Sequence, residues 1–207
     1  MIEDHPIFLE SMRFISSKLS HNKFKDQERK VLERLIHTSG DFSIQNLLLF
    51  SENACEIGIN AIHNKAPILT DTDMAAASIK SMAARAGVNQ IFTASQWFDS
   101  QKDFSTTKTA FGIEQGWYEI SKNNFGTRAP IVVFGSSPTA LERFLDIIEK
   151  DNLKPSLIIG MPVGFIGVEQ SKKRLLNSNQ TYIVMGSTRG GAAMAGATIN
   201  ALLRSTI

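Results

Sequence analysis

Arg34 and His37 stand three residues apart, so a helix would set both side chains on one face. Gly40 follows as a stop signal, which places His37 in the last turn of that helix. The partly negative helix C-terminus favours imidazolium by roughly 0.3–1 kcal/mol, a bias toward proton donation near neutrality. Arg34 pushes the same pKa down, and spacing alone leaves the net sign open. A C-capping histidine beside a solvated arginine has this spacing too. His5, His21 and His63 are widely separated and make no metal-ligand pattern; Cys55 has no base near it in sequence and reads as a packed helix residue.

Four short segments rich in small residues and polar donors form a second group: Asp71–Met74, Gly135–Leu141, Gly160–Gly167 and Gly186–Gly191. A tight turn with a helix cap accounts for any one of them. Together their backbone N–H groups could build an anion-binding wall. None matches G-x-G-x-x-G or the P-loop pattern, so a nucleotide site has no phosphate loop. Lys80, Arg85, Lys108, Lys172, Lys173 and Arg189 lie in or just after these segments; if several converge, they suit a ligand with many carboxylates.

The elements that must hold these residues follow from periodicity. Ile7, Phe8, Met12, Ile15 and Leu19 recur on one helical face, and a second helix starting near Asp26 carries Val31, Leu32, Leu35 and Ile36 inward. A third helix is expected over Ser51–Asn64. Five short apolar runs read as strands: Ala66–Thr70, Gln90–Ala94, Pro130–Phe134, Ser156–Gly160 and Thr181–Met185. Helical stretches separate them, notably Thr106–Asn123, Thr139–Glu149, Val168–Leu176 and Gly191–Leu203. This alternation predicts an α/β fold over residues 1–207: one domain, a mainly parallel sheet of about five strands flanked by helices, and a helical N-terminal segment. Ligands of such sheets bind at the carboxyl ends of the strands, where the four loops fall.

Composition narrows the class. Of 207 residues, 43% are hydrophobic, enough for a substantial core. The formal net charge of +2 argues against a general nucleic-acid or membrane-surface binder, so an anionic ligand must meet a local cluster of cations. One cysteine excludes an internal disulfide framework. Met1-Ile2-Glu3-Asp4-His5 lacks the basic and apolar regions of a secretory signal, and no apolar run has the length of a membrane span. The expectation is a soluble cytoplasmic protein.

Several motifs can be read together. They are Arg34-Leu-Ile-His37 with Ser39-Gly40, Ala66-Pro-Ile-Leu-Thr-Asp71 with Asp73-Met74, Pro138-Thr-Ala-Leu141, Gly160-Met-Pro-Val-Gly-Phe-Ile-Gly167 with Glu169 and Ser171-Lys172, and Arg189-Gly-Gly191 with Ala193-Met194 and Asn200-Ala-Leu202. In this order, from about Ile7 to Leu203, the chain closely resembles the precorrin-8X methylmutases (precorrin isomerases) of cobalamin biosynthesis. The Gly-Met-Pro-Val-Gly-Phe block is the most specific piece. The resemblance implies a homodimeric isomerase that needs no cofactor and no metal. It would move a methyl group from C11 to C12 of precorrin-8X, or of cobalt-precorrin-8, to give hydrogenobyrinate or cobyrinate. His37 matches the family's catalytic histidine, thought to protonate a ring nitrogen and promote a suprafacial 1,5-sigmatropic shift. Ser11 and Arg34 match substrate-contacting positions, and the expected substrate-binding set also takes in Asp71, Lys108, Ser136, Thr139, Gly164, Phe165 and Arg189. The implied partner is a tetrapyrrole polycarboxylate, with no nucleic acid and no membrane. The chemistry fits: an intramolecular methyl shift calls for an acid, a shaped pocket and charge neutralisation.

The chain departs from the family pattern in places. Thr107-Lys108 stands where the family commonly has Thr-Arg, keeping the charge but losing the bidentate fork. Gly135-Ser-Ser-Pro138 replaces Gly-Asn-Ala-Pro and loses an amide side chain. Asp71-Thr-Asp73 takes the Asp-x-Asp form of the family's usual Asp-x-Glu or Asp-x-Asp. A non-catalytic tetrapyrrole carrier on the same fold is the competing reading, and turnover discriminates the two.

Overall fold

The computed structural model describes residues 5–19, 24–98, 106–124, 126–151 and 153–207. His21 and the N-terminal residues Met1–Asp4, read above, lie outside them. The chain opens with helices α1 (Pro6–Lys18) and α2 (Asp26–Ser39), then enters strand β1 (Leu48–Phe50) through a short 3-10 turn. Helix α3 (Ala54–His63), strand β2 (Ile68–Thr70), helix α4 (Asp73–Arg85) and strand β3 (Ile91–Thr93) follow. The second half alternates α5 (Lys108–Ser121), β4 (Ile131–Phe134), α6 (Pro138–Asp151), β5 (Leu157–Gly160), α7 (Val168–Leu176), β6 (Tyr182–Met185) and α8 (Ala192–Arg204).

All five expected strands are present, each trimmed by one or two residues, and Val168–Leu176 is helical to the residue. The sheet has a sixth strand: β1 pairs antiparallel with β6, Leu49 opposite Val184. The sheet order is β1-β6-β5-β4-β2-β3 with every other pairing parallel. The parallel part is doubly wound. β3 lies on one side of β2, while β4, β5 and β6 succeed one another on the other, so the winding reverses between β2 and β4.

Alternation along the strands divides the core between the two faces. Ile68, Ile131, Val133, Leu157 and Ile159 face a cluster with α2, α3, α4 and α8, represented by Leu35, Cys55, Ile79 and Ile199. Leu69, Val132, Phe134 and Ile158 face the opposite cluster with Ile113 of α5, Phe144 of α6 and Leu175 of α7. Helix α1 adds Ile15 and Leu19 to the first cluster. Helix α2 stops at Gly40, whose φ of +66° is left-handed and whose N–H donates to the Ile36 carbonyl at 2.8 Å. That stop leaves His37 exposed in the final turn and directs the chain toward the strand-end loops.

Candidate active site

His37 is held by α1. Its Nδ1 is 2.9 Å from Ser11 Oγ, and the Phe8 ring meets it edge-on, centroids 5.2 Å apart at 83°. The Ser11 bond engages Nδ1 and leaves Nε2 for another partner. Arg34 and Arg204 both lie over the Phe8 ring, their guanidinium carbons 5.4 and 4.9 Å from its centroid. Although His37 is exposed as a residue, partial burial, followed by repulsion from Arg34, holds its pKa below the ordinary histidine value. The bias expected from the helix end does not prevail. Beside it, Phe8, Met12, Lys30, Glu33, Arg34, Ala201, Arg204 and Ser205 line a cavity of about 240 Å³. Three of those side chains are cations.

The strand-end loops form the second part. Asp71, at the end of β2, is 1% exposed. Its Oδ2 accepts the backbone N–H groups of Gly135, Ser136 and Ser137 at 3.1, 2.7 and 2.8 Å. Burial pushes its pKa up, against the pull of those three bonds. The crevice where the winding reverses, which holds the ligand in many doubly wound sheets, is therefore occupied by a carboxylate of the protein itself. These amides are not free to bind an external anion. Asp71 and the Ser136 backbone position the loop that opens α6, and Ser137 Oγ caps that helix by accepting the Ala140 N–H. Thr139 Oγ1 is 2.9 Å from Thr107 Oγ1, the cap of α5, and 3.1 Å from Ser137 Oγ. Lys108 is the exposed first residue of α5.

Arg189 joins the two parts. It forms an ion pair with Asp41, four residues beyond His37. Its loop is sewn to the one after β5: Gly164 N–H donates to the Thr188 carbonyl at 3.2 Å, and Gly191 N–H to the Met161 carbonyl at 2.8 Å. Gly190 passes so close that a Cβ there would sit 2.1 Å from the Met161 oxygen, which only glycine tolerates. Phe165 and Ile166 project from the rim 90% and 88% exposed. Thr139 and Ile166 also border a cleft of about 600 Å³, yet its charged lining is Glu114, Glu142, Asp146 and Arg143, and Arg143 is paired with Glu114. That balance suits a polyanion poorly; the cationic cavity beside His37 suits it better.

The structure thus brings Ser11, Arg34 and His37 into one cluster, with Arg189 tied to Asp41 two residues past the end of the His37 helix. Asp71, Ser136, Thr139 and Lys108 gather around the starts of α5 and α6. Lys172 joins neither cluster, being buried on α7. Among the described residues no group of three His, Cys, Asp or Glu side chains is placed to hold a metal. Sequence reasoning missed Phe8, Lys30, Asp41 and Arg204 as neighbours of the site. Phe8 had a signal, standing three residues before Ser11 on the same helix face; Arg204 had none, since α8 meets α1 and α2 only in the folded chain.

Fold and site together define a doubly wound α/β protein whose candidate chemistry is one weak acid at a helix end, flanked by cations, beside a rim of strand-end loops. The chain belongs to the precorrin-8X methylmutase family, whose model matches residues 6–205. It is 31% identical to a cobalt-precorrin-8 methylmutase of Methanocaldococcus jannaschii over 182 residues, 88% of this chain and 81% of that protein. A precorrin-8X methylmutase of Pseudomonas aeruginosa is 32% identical over 175 residues, 84% and 82% of the two chains. The crystal structure of a precorrin-8X methyl mutase from Thermus thermophilus superposes with a TM-score of 0.86 at 28% identity, covering 97% of this chain and 95% of that one.

Proposed function

We propose that this protein is a methylmutase of cobalamin biosynthesis that carries out the C11-to-C12 methyl migration on precorrin-8X or its cobalt form. The observation that carries the reading is the Ser11–His37 contact beside Phe8 and Arg34, in a chain matched by the family model along nearly its whole length. His37 acts as the acid. With Nδ1 engaged by Ser11, Nε2–H delivers the proton to a macrocycle nitrogen. The C11–methyl bond then breaks as the C12–methyl bond forms, and the histidine recovers a proton from product or solvent. No nucleotide, metal or redox group takes part.

Arg34, Lys108 and Arg189 neutralise carboxylate arms of the substrate. The cavity of about 240 Å³ lined by Lys30, Arg34 and Arg204 is small for an entire tetrapyrrole and takes one such arm while the macrocycle lies outside it. Asp41 holds Arg189 until a substrate carboxylate replaces it. The protein works as a homodimer, a reading supported by the exposed apolar side chains Val163, Phe165 and Ile166 on the same rim.

Turnover is the test. Purified protein should convert many equivalents of precorrin-8X, or of cobalt-precorrin-8, each followed by its absorption change. Binding of one equivalent returned unaltered would instead mark a carrier.

A further inference from the structure

Lys172 is 2% exposed, and its Nζ donates to the Ser187 carbonyl at 2.8 Å and the Arg189 carbonyl at 2.6 Å. Burying an ammonium without a carboxylate against it costs stability, and an apolar side chain of similar length would avoid that cost. Charged groups around it do little to offset burial. Glu169, one turn earlier on α7, is the anion that supports it; Glu142, Asp146 and Glu149 of α6 are gathered by Arg174; Arg189's own guanidinium turns to Asp41; β6 carries no charge. Burial accordingly pulls the Lys172 pKa down to about 8.

The charge sits where the backbone needs it. Ser187 has a left-handed φ of +59°, an unfavourable conformation for a residue with a side chain, which persists only where neighbours enforce it. Between the two clamped carbonyls, that of Thr188 accepts the Gly164 N–H, and Gly191 closes on Met161. The ammonium thus draws together two carbonyls of one loop while that loop is stitched to the next.

We propose that Lys172 is a positioning residue that, by holding the Ser187 and Arg189 carbonyls, fixes where the Arg189 guanidinium stands and so where a carboxylate of the tetrapyrrole is taken. The proposal rests on the reading of Arg189 as a carboxylate contact, and its test separates the two. Lys172→Met in the full chain should weaken hydrogenobyrinate binding about tenfold while kcat for precorrin-8X changes less than about twofold, and in an Arg189→Met background the same change should shift the Kd by less than about twofold. Equal effects in both backgrounds overturn the proposal, since the lysine would then act independently of Arg189. Should Arg189→Met alone bind hydrogenobyrinate as the wild type does, the carboxylate reading of Arg189 falls, and the clamp is judged without ligand. At neutral pH, hydrogen-exchange protection of the Gly164 and Gly191 amides should be several-fold higher in the wild-type protein than in whichever of Lys172→Met and Lys172→Leu folds, while the amides of α2 exchange alike. Equal protection of those two amides in wild type and variant overturns the clamp.

Discussion

At the scale of single residues, the proposal turns on His37. Its side chain is exposed and adds little to the core, so His37→Ala should abolish methyl migration while thermal unfolding and ligand binding stay close to wild type; activity within a few-fold of wild type would remove it as the acid. The pH dependence has a definite sign. Burial and Arg34 hold the folded pKa below the ordinary value of 6.5, so the free protein near neutrality carries mostly uncharged imidazole. The acid limb of kcat/KM should therefore fall as pH rises through a value under 6.5. Bound carboxylates favour imidazolium, which moves the limb of kcat to higher pH. Single-turnover rates across pH would show the two limbs apart; limbs that coincide, or a rate that climbs with pH, contradict acid catalysis by His37. Arg34→Met should weaken binding and flatten the salt dependence of what remains, read from Kd at low and high ionic strength. The pairing of Arg34 and His37 was legible because three residues of helix place side chains together wherever the helix lies. The direction of the histidine's pKa was not, because desolvation comes from α1, which sequence spacing cannot bring into contact.

At the scale of elements, Asp71 organises the strand-end loops. Removing its carboxylate leaves three N–H groups without a partner, so Asp71→Ala should cost about 2 kcal/mol or more in urea unfolding. Activity should fall as well, since the loop it holds carries Ser136 and leads to Thr139. A variant of wild-type stability would mean that water or Thr72 replaces the carboxylate. Lys172 predicts the opposite pH behaviour from a paired surface lysine. Its folded pKa of about 8 lies below its ordinary 10.5, so the unfolded chain binds the proton more firmly. Its penalty is fully present below about pH 8 and is relieved as pH rises toward 10.5, making the fold gain stability across that window relative to Lys172→Met. Chemical denaturation of both proteins through the window would register the difference; parallel curves would show the ammonium to be solvated. The five parallel strands were readable as short apolar runs between helices. Strand β1 was not, because a three-residue edge strand has no period of its own and exists through its pairing with β6. Helix α4 was expected only as an unbounded helical stretch after Asp71–Met74, because its alanine-rich sequence shows little contrast between faces.

At the scale of the molecule, turnover should survive treatment with a metal chelator and need no added nucleotide or reductant; loss on chelation, restored by a divalent ion, would overturn the metal-free reading. Sedimentation equilibrium should give twice the mass of the 22.8 kDa chain. No helix among the described residues is long and apolar enough to cross a membrane. The sequence by itself determined the α/β alternation, the helix that ends at Gly40 with His37 in its last turn, and the ordered motifs that resemble the methylmutases. These are local properties, carried by periodicity, by a glycine's backbone freedom and by short runs of residue types. Tertiary structure alone decided which charges are available. Asp71 and Lys172 look like ligand-facing loop residues on paper, yet folding buries both. One fills the anion nest of the β4–α6 loop and the other clamps the loop of Arg189, because their partners are backbone groups 64–66 and 15–17 residues away. Arg204 takes its place over Phe8 for the same reason: burial and contact between distant segments depend on how the helices cross, and no local pattern encodes that.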